Sequence, residues 1–361
     1  MTRTLIAASL LTLSLPALGR AQGAGDMAVI VAPHLTSYVL GSGAAKRTVS
    51  QMSVPIVLLF PATERLSFDL STAFATTDVK VGGASSSKIS GLTDTQIRGN
   101  YILGERMLVF TVGLNLPTGQ YTIPEEQAEA AGQIGNDFLN YPISSMGNGL
   151  AGTGGIAFAK ALGSWNLGAG ASFRKSTEFA AFNTPTGEYR FTPADEIKIN
   201  VGLDRPVGDG QVQLGTSFSA FGDDVADATT YSTGNRLITS GSWSFPVRST
   251  QVFLSAWDLY RMEGQKLGGD APNENVANIN AGVSFTAKEV LIQPNLELRL
   301  WQAGGVKAGN MINTGVRLRF QAGAFTLVPQ VGFSTGNLYN PANGVATSVT
   351  GLRGALTIRW N

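Results

Sequence analysis

Val349-Thr-Gly-Leu-Arg-Gly-Ala-Leu-Thr-Ile-Arg-Trp-Asn361 is the stretch whose reading decides the fold. In an extended chain successive side chains alternate sides, so Leu352, Leu356, Ile358 and Trp360 fall on one face and Arg353, Thr357 and Arg359 on the other. A strand that gives one face to lipid and turns arginines the other way needs a polar interior behind it. Only a closed barrel satisfies every backbone polar group in a bilayer while providing that interior.

Other segments phase the same way. In Glu196-Ile-Lys-Ile-Asn-Val-Gly-Leu-Asp204 the set Ile197, Ile199, Val201 and Leu203 faces lipid, opposite Glu196, Lys198, Asn200 and Asp204. Slipping the register by one residue would put those four polar groups in hydrocarbon. Val290, Ile292, Leu296, Leu298 and Leu300 oppose Gln293, Asn295, Glu297 and Arg299, and Ile312, Val316, Leu318 and Phe320 oppose Asn313, Arg317 and Arg319. Phe60, Trp165, Trp243, Phe245, Phe285, Phe320, Phe325 and Trp360 lie beside short turns, where a periplasmic aromatic girdle belongs. Pro55, Pro294 and Pro329 interrupt strands and imply bulges or missing ladder bonds.

Short and long connections alternate. Tight links fall at 61–64, 104–106, 163–164, 207–210, 246–249, 287–288 and 321–323, each built of turn-forming or polar residues. Long links are expected at 77–91, 118–148, 176–193, 222–234, 263–273, 303–308 and 337–347. The expectation is all-β: a closed antiparallel transmembrane barrel of about sixteen strands, with fourteen still open, short periplasmic turns and long outer loops.

The N-terminus carries Arg3, the apolar run Leu5 to Leu15, Pro16 and small residues around Gly19-Arg20-Ala21. The run is too short to span a bilayer and reads as a cleavable signal peptide over residues 1–21, leaving 22–361 as one barrel domain in the bacterial outer membrane. The formal net charge of +1 offers no basic stripe for nucleic acid, and the absence of Cys excludes disulfides and thiolate metal sites. The expected partners are outer-membrane lipid, a small-molecule solute, the barrel-assembly machinery and, for some barrels of this kind, further copies of the chain; no nucleic acid is expected.

Asp94-Thr-Gln-Ile-Arg-Gly-Asn-Tyr-Ile-Leu103, Gly104-Glu-Arg106 and Val109-Phe-Thr-Val-Gly-Leu-Asn-Leu-Pro-Thr-Gly119 form a hairpin. It resembles the outer-membrane channel-like proteins associated with the meta-cleavage pathway of phenol degradation, through Asp94, Tyr101, Gly113, Leu116, Pro117, Thr118 and Gly119. The resemblance implies passage of small, hydrophobic or aromatic molecules across the outer membrane, and carries no catalytic residue. The chain departs from the usual barrel ending in that Asn361 follows Trp360.

Lumen-lining candidates are Arg98, Arg174, Glu196, Lys198, Asp204 and Arg236, continued by Glu297, Arg299, Arg317, Arg319, Arg353 and Arg359. Asp69 and Asp94 belong to the same inner set, and the basic excess would favour anions in an open pore. Alternatively the charges pair with one another and hold the wall together. The link 118–148 contains Pro124-Glu-Glu-Gln-Ala-Glu-Ala-Ala131, a helix start that could cap or constrict the mouth; a solvated outer loop is the preferred of the two readings. Asp223, Asp224 and Asp227 lack metal-loop spacing and read as a solvated acidic loop, and Phe179, Phe182, Tyr189 and Phe191 as rim packing rather than an apolar ligand patch.

His34 is the one histidine, turned inward by the phase of Val29, Val31, Leu35 and Val39, with no nucleophile signature to serve. Gly149-Leu-Ala-Gly-Thr-Gly-Gly155 lacks the spacing and the Lys of a phosphate cradle. No catalytic, cofactor-binding or metal residue is expected, and the chain reads as no enzyme. The function expected is a porin-like channel for passive or facilitated diffusion of small solutes; the alternative is a closed-lumen structural or surface-binding barrel acting through its outer loops.

Overall fold

A computed structural model describes residues 27–104, 108–184 and 187–360. The expected signal peptide, most of the 104–106 turn and Asn361 lie outside the described residues.

Alternating runs become sixteen antiparallel staves. The first is β1, Ala28–Val31 continued by His34–Leu40, followed by β2 (Arg47–Pro61) and β3 (Leu66–Val81). Next come β4, Ala84–Leu92 continued by Thr95–Leu103, then β5 (Leu108–Leu116), β6 (Ala151–Leu162), β7 (Trp165–Ser176) and β8 (Glu196–Val207). The second half holds β9 (Gly210–Phe221), β10 (Arg236–Val247), β11 (Thr250–Arg261) and β12 (Glu274–Ala287). It ends with β13 (Val290–Ala303), β14 (Val306–Ala322), β15 (Phe325–Tyr339) and β16 (Ala346–Trp360). The stretch that opened the reading closes the wall: β16 pairs with β15 on one side and with β1 on the other, Trp360 opposite Val29 and Arg353 opposite Thr36. The wall therefore has no open edge, as a lipid environment demands.

The apolar side chains of the expected lipid face are the exposed ones. Ile197, Ile199, Leu296, Ile312 and Leu352 stand outward, and Phe60, Trp243, Phe325 and Trp360 are exposed beside the short turns. The apolar outer band and its aromatic belt make this a transmembrane barrel of the outer-membrane type. The prolines act as their missing N–H requires. The β12–β13 ladder breaks beside Pro294 and the β14–β15 ladder beside Pro329, while Pro55 lies opposite the interruption in β1, where its carbonyl accepts from Ala32 N.

Two expected long links are tight turns. β3 and β4 run on to Gly82-Gly83, and β13 and β14 to Gly304-Gly305; all four glycines have φ between 59° and 96°, the left-handed pair that a two-residue hairpin turn needs. The polar stretch 77–91 is strand because its outer face lies beyond the lipid contact, where Asp78, Lys80 and Lys88 are as acceptable as leucine; strand outlasts the apolar alternation that reveals it. The links 176–193, 222–234 and 263–273 carry hairpins of their own, at Phe179–Thr184 with Gly187–Thr192, Asp223–Ala226 with Thr229–Ser232, and Gly264–Lys266 with Gly269–Ala271. The first two join one outer sheet with Ile123–Pro124.

Candidate functional site: a lumen divided by an inserted loop

The preferred reading of 118–148 as a solvated loop is overturned. The segment folds inward and supplies the barrel with a packed interior. Ile123–Pro124 leads into a 3-10 turn, Glu125–Gln127, and a short helix, α1 (Ala128–Ile134), whose Ala130 and Ile134 are buried. Beyond it Phe138, Leu139, Tyr141 and Met146 are buried against inward side chains of the wall, among them Val49 on β2, Val79 on β3, Ile89 on β4, Val276 on β12, Met311 on β14 and Val349 on β16. Phe138 stacks on Trp301 at 5.6 Å, close over Gly309, where a Cβ would come within 2.9 Å of its ring. Where the loop covers it, the inner wall carries apolar side chains as well as polar ones. Apolar surface removed from water holds the loop in place.

Polar groups fix its register. Gln51, fully buried on β2, donates to Ile143 O at 2.8 Å and accepts from Ile143 N at 2.9 Å, so its amide meets the loop backbone as a paired strand would. Tyr38 on β1 donates to Leu139 O at 2.9 Å and accepts from Arg353 Nε, while Arg353 Nη2 donates to Leu139 O at 3.1 Å. Arg299, 1% exposed, donates to Phe138 O at 2.7 Å and pairs with Glu297, whose Oε1 also accepts from Asn313. Arg261 pairs with Asp137 at 2.8 Å, and Arg47 with Glu129. Tyr141 donates to Val49 O, and its phenol is held well above its ordinary value by burial first and by Tyr38 second, so it stays a neutral donor.

Both ends of the loop converge on Asp94. The break in β4 at Thr93-Asp94 frees this carboxylate from the ladder, and it is 9% exposed. It accepts from Gly119 N at 3.1 Å and Asn148 N at 2.7 Å, one at each end of the inserted segment, and from Asn115 Nδ2 at 2.7 Å. Gly119 has no room for a side chain: a Cβ there would lie 2.1 Å from Met146 O. The Asp and the Gly that carry the family resemblance are therefore two halves of one loop clasp.

On the remaining wall, β6 to β10, inward positions include the small residues Ala157, Ala159 and Ala161, Gly168 and Gly170, Gly202, Gly215, Ser240 and Ser242, set among larger ones such as Asn200, Gln213 and Ile238. Ala159, Ala161 and Ser240 are exposed although they face the interior, so solvent reaches this wall.

The charged candidates divide between the two regions. Arg98 pairs with Asp69 at 2.7 Å, and Glu297, Arg299 and Arg353 are engaged with the wall and the loop. Arg174 and Glu196 are cross-strand neighbours near the rim, next to Lys198 opposite Ser172; Arg236 lies opposite Arg261; Asp204 accepts from Asn166 lower down. Arg317, Arg319 and Arg359 lie toward the short turns on β14 and β16. Sequence reasoning missed Tyr38, Gln51 and the apolar inner patch, because inward apolar residues erase the alternation on which phasing depends.

The remaining candidates are structural in placement. His34 lies across from Ser53 and Ala355 on the inner wall, and Asp224 accepts from Ala194 N and Thr233. Asp227 accepts from Arg190 N. Phe179 packs edge-on against Tyr121 and Phe191, tying the outer sheet to the loop base, and Phe182 meets Tyr189.

No protein-family model matches the chain, and no curated protein matches it in sequence. Solved structures that align with it include OprB of Pseudomonas putida, at 12% identity over 93% of this chain and 94% of that one, with a TM-score of 0.46. An anion-selective porin from Comamonas acidovorans matches at 10% identity over 93% and 100%, TM-score 0.45. The TodX monoaromatic hydrocarbon channel, as a deltaS2 mutant, matches at 10% identity over 94% and 91%, TM-score 0.47.

Proposed function

We propose that this protein is an outer-membrane channel for passive or facilitated diffusion of small solutes, hydrophobic or aromatic molecules among them, and that it performs no chemistry. The reading includes export directed by residues 1–21 and insertion by the barrel-assembly machinery. One observation supports it above the rest: the inserted loop packs against one part of the wall, and the strands it leaves, β6 to β10, carry glycine, alanine and serine among their inward positions, some of them solvent-exposed. A barrel serving only as a scaffold would have no use for that asymmetry. Selection would follow from the width left between loop and wall and from the charges along it.

The test is single-channel recording of the refolded mature chain in a planar bilayer. Discrete current steps are expected, rising severalfold in size when residues 121–146 are replaced by a short Gly-Ser link. Silence from barrels that are demonstrably folded would replace this reading with a closed barrel acting through its outer loops.

A further inference from the structure

We infer that the outer face of the barrel, near the short turns of β6 to β8, holds a binding site for an anionic glycerophospholipid of the periplasmic leaflet. In the stretch of each stave next to its short turn, Lys160 on β6 and Arg205 on β8 are the only charged side chains, among the described residues, that face lipid rather than the lumen. Their phase is set by their neighbours: Phe158 and Leu162 are exposed on either side of Lys160, and Val207 is exposed two residues beyond Arg205. Asp204, next to Arg205 in the chain, turns the other way and accepts from Asn166 inside the barrel. Only β7 separates the two cations. Lys160 lies opposite Leu167, and Leu167 opposite Leu203, two residues from Arg205. Their Cα atoms are therefore about 12 Å apart on a diagonal across β7, a span that two long side chains can close on one phosphate.

Two further facts point to a lipid. The Arg205 guanidinium is held over the Trp165 ring, 5.4 Å from its centroid, and its Nε is buried without a hydrogen-bond partner. Among the described residues neither Arg205 nor Lys160 forms an ion pair, so no carboxylate of the protein neutralises them. Toward mid-membrane from this pair, Ala169 and Ala171 on β7 stand between Phe158 and Ile156 on β6 and Val201 and Ile199 on β8. A row of short side chains thus runs between two taller apolar rows, and it leads away from the cations as an acyl chain leads away from its headgroup. Basic residues at a membrane surface attract anionic lipid, and the interfacial Trp165 anchors the same level. Free phosphate would have nothing to set against the alanine row. The site lies outside the lumen and does not rest on the channel reading.

The experiment is native mass spectrometry of the refolded mature chain, released from detergent carrying equal amounts of phosphatidylglycerol and phosphatidylethanolamine, with heat-modifiable gel migration to confirm that each variant is folded. Wild type should retain phosphatidylglycerol over phosphatidylethanolamine by roughly tenfold, as two basic residues at a lipid surface would give. Lys160→Gln with Arg205→Gln should bring the ratio close to parity. Arg248→Gln, a cation in the turn between β10 and β11, should leave it at the wild-type value. Ala171→Phe, which fills the alanine row and keeps both charges, should weaken retention of phosphatidylglycerol severalfold. Equal retention of the two lipids by wild type would overturn the site, and so would an undiminished preference in the double variant. Displacement of the lipid by glycerol phosphate, which has no acyl chains, would overturn the lipid as its ligand in favour of a soluble phosphate ester.

Discussion

Asp94 shows how much one carboxylate can organise. Two backbone N–H groups at opposite ends of the inserted segment and one side-chain amide converge on it in a nearly buried place. Asp94→Asn keeps the shape but turns one acceptor oxygen into a donor facing a donor, at a cost of roughly 1–3 kcal/mol for each group left unpaired. The expected outcome is a barrel that still forms, with more open-channel noise and faster proteolytic cleavage within 119–147. Wild-type noise and cleavage in the variant would show that the packed side chains hold the loop without the clasp. The pairing of Asp94 with Gly119 was legible as a motif; its purpose was not, because the partners of Asp94 are backbone amides, which leave no mark in a sequence.

The staves and the inserted loop differ in how plainly the chain announces them. Strands such as β8 and β13 carry their phase in residue order, since lipid on one side and polar groups on the other force a period of two. Along the upper parts of β2, β3 and β16, Val49, Val79 and Val349 face inward and the outer positions are polar, so the pattern fades although the strand continues. The loop is the reason: it supplies the apolar partner that those positions face. This makes a labelling prediction possible, because the chain contains no cysteine. Ala159→Cys, on the bare wall, should react with a charged thiol reagent and lose current on doing so. Val49→Cys, fully buried beneath the loop, should stay unlabelled until the loop is removed. Equal reactivity at both positions would mean the loop does not remain docked in the membrane.

For the barrel as a whole, among the described residues, Arg174, Lys198 and Arg236 toward the rim and Arg317 and Arg319 toward the periplasm face inward outside the ion pairs, against Glu196, Asp204 and Glu274. We expect a reversal potential of anion-preferring sign in a potassium chloride gradient, shrinking as the mean salt concentration rises and screening shortens the reach of the wall charges. A cation-preferring sign at low salt would mean the carboxylates govern the narrowest point. Mutual pairing is seen for Arg98 with Asp69 and for Arg299 with Glu297.

The order of residues was enough to establish the barrel, its lipid face, its aromatic belt and most of its turns, because lipid acts on each strand through local alternation that any short window records. Gly82-Gly83 and Gly304-Gly305 were present to be read, yet the polar strands beside them resembled loops once the lipid constraint had ended. The inward fold of 118–148, the clasp at Asp94 and the division of the lumen into a filled side and a bare one came only from the tertiary structure. Each depends on which residues meet across the barrel, between positions as far apart as Tyr38, Leu139 and Arg353. Contacts of that kind follow from closure of the wall, and closure is a property of all sixteen staves together.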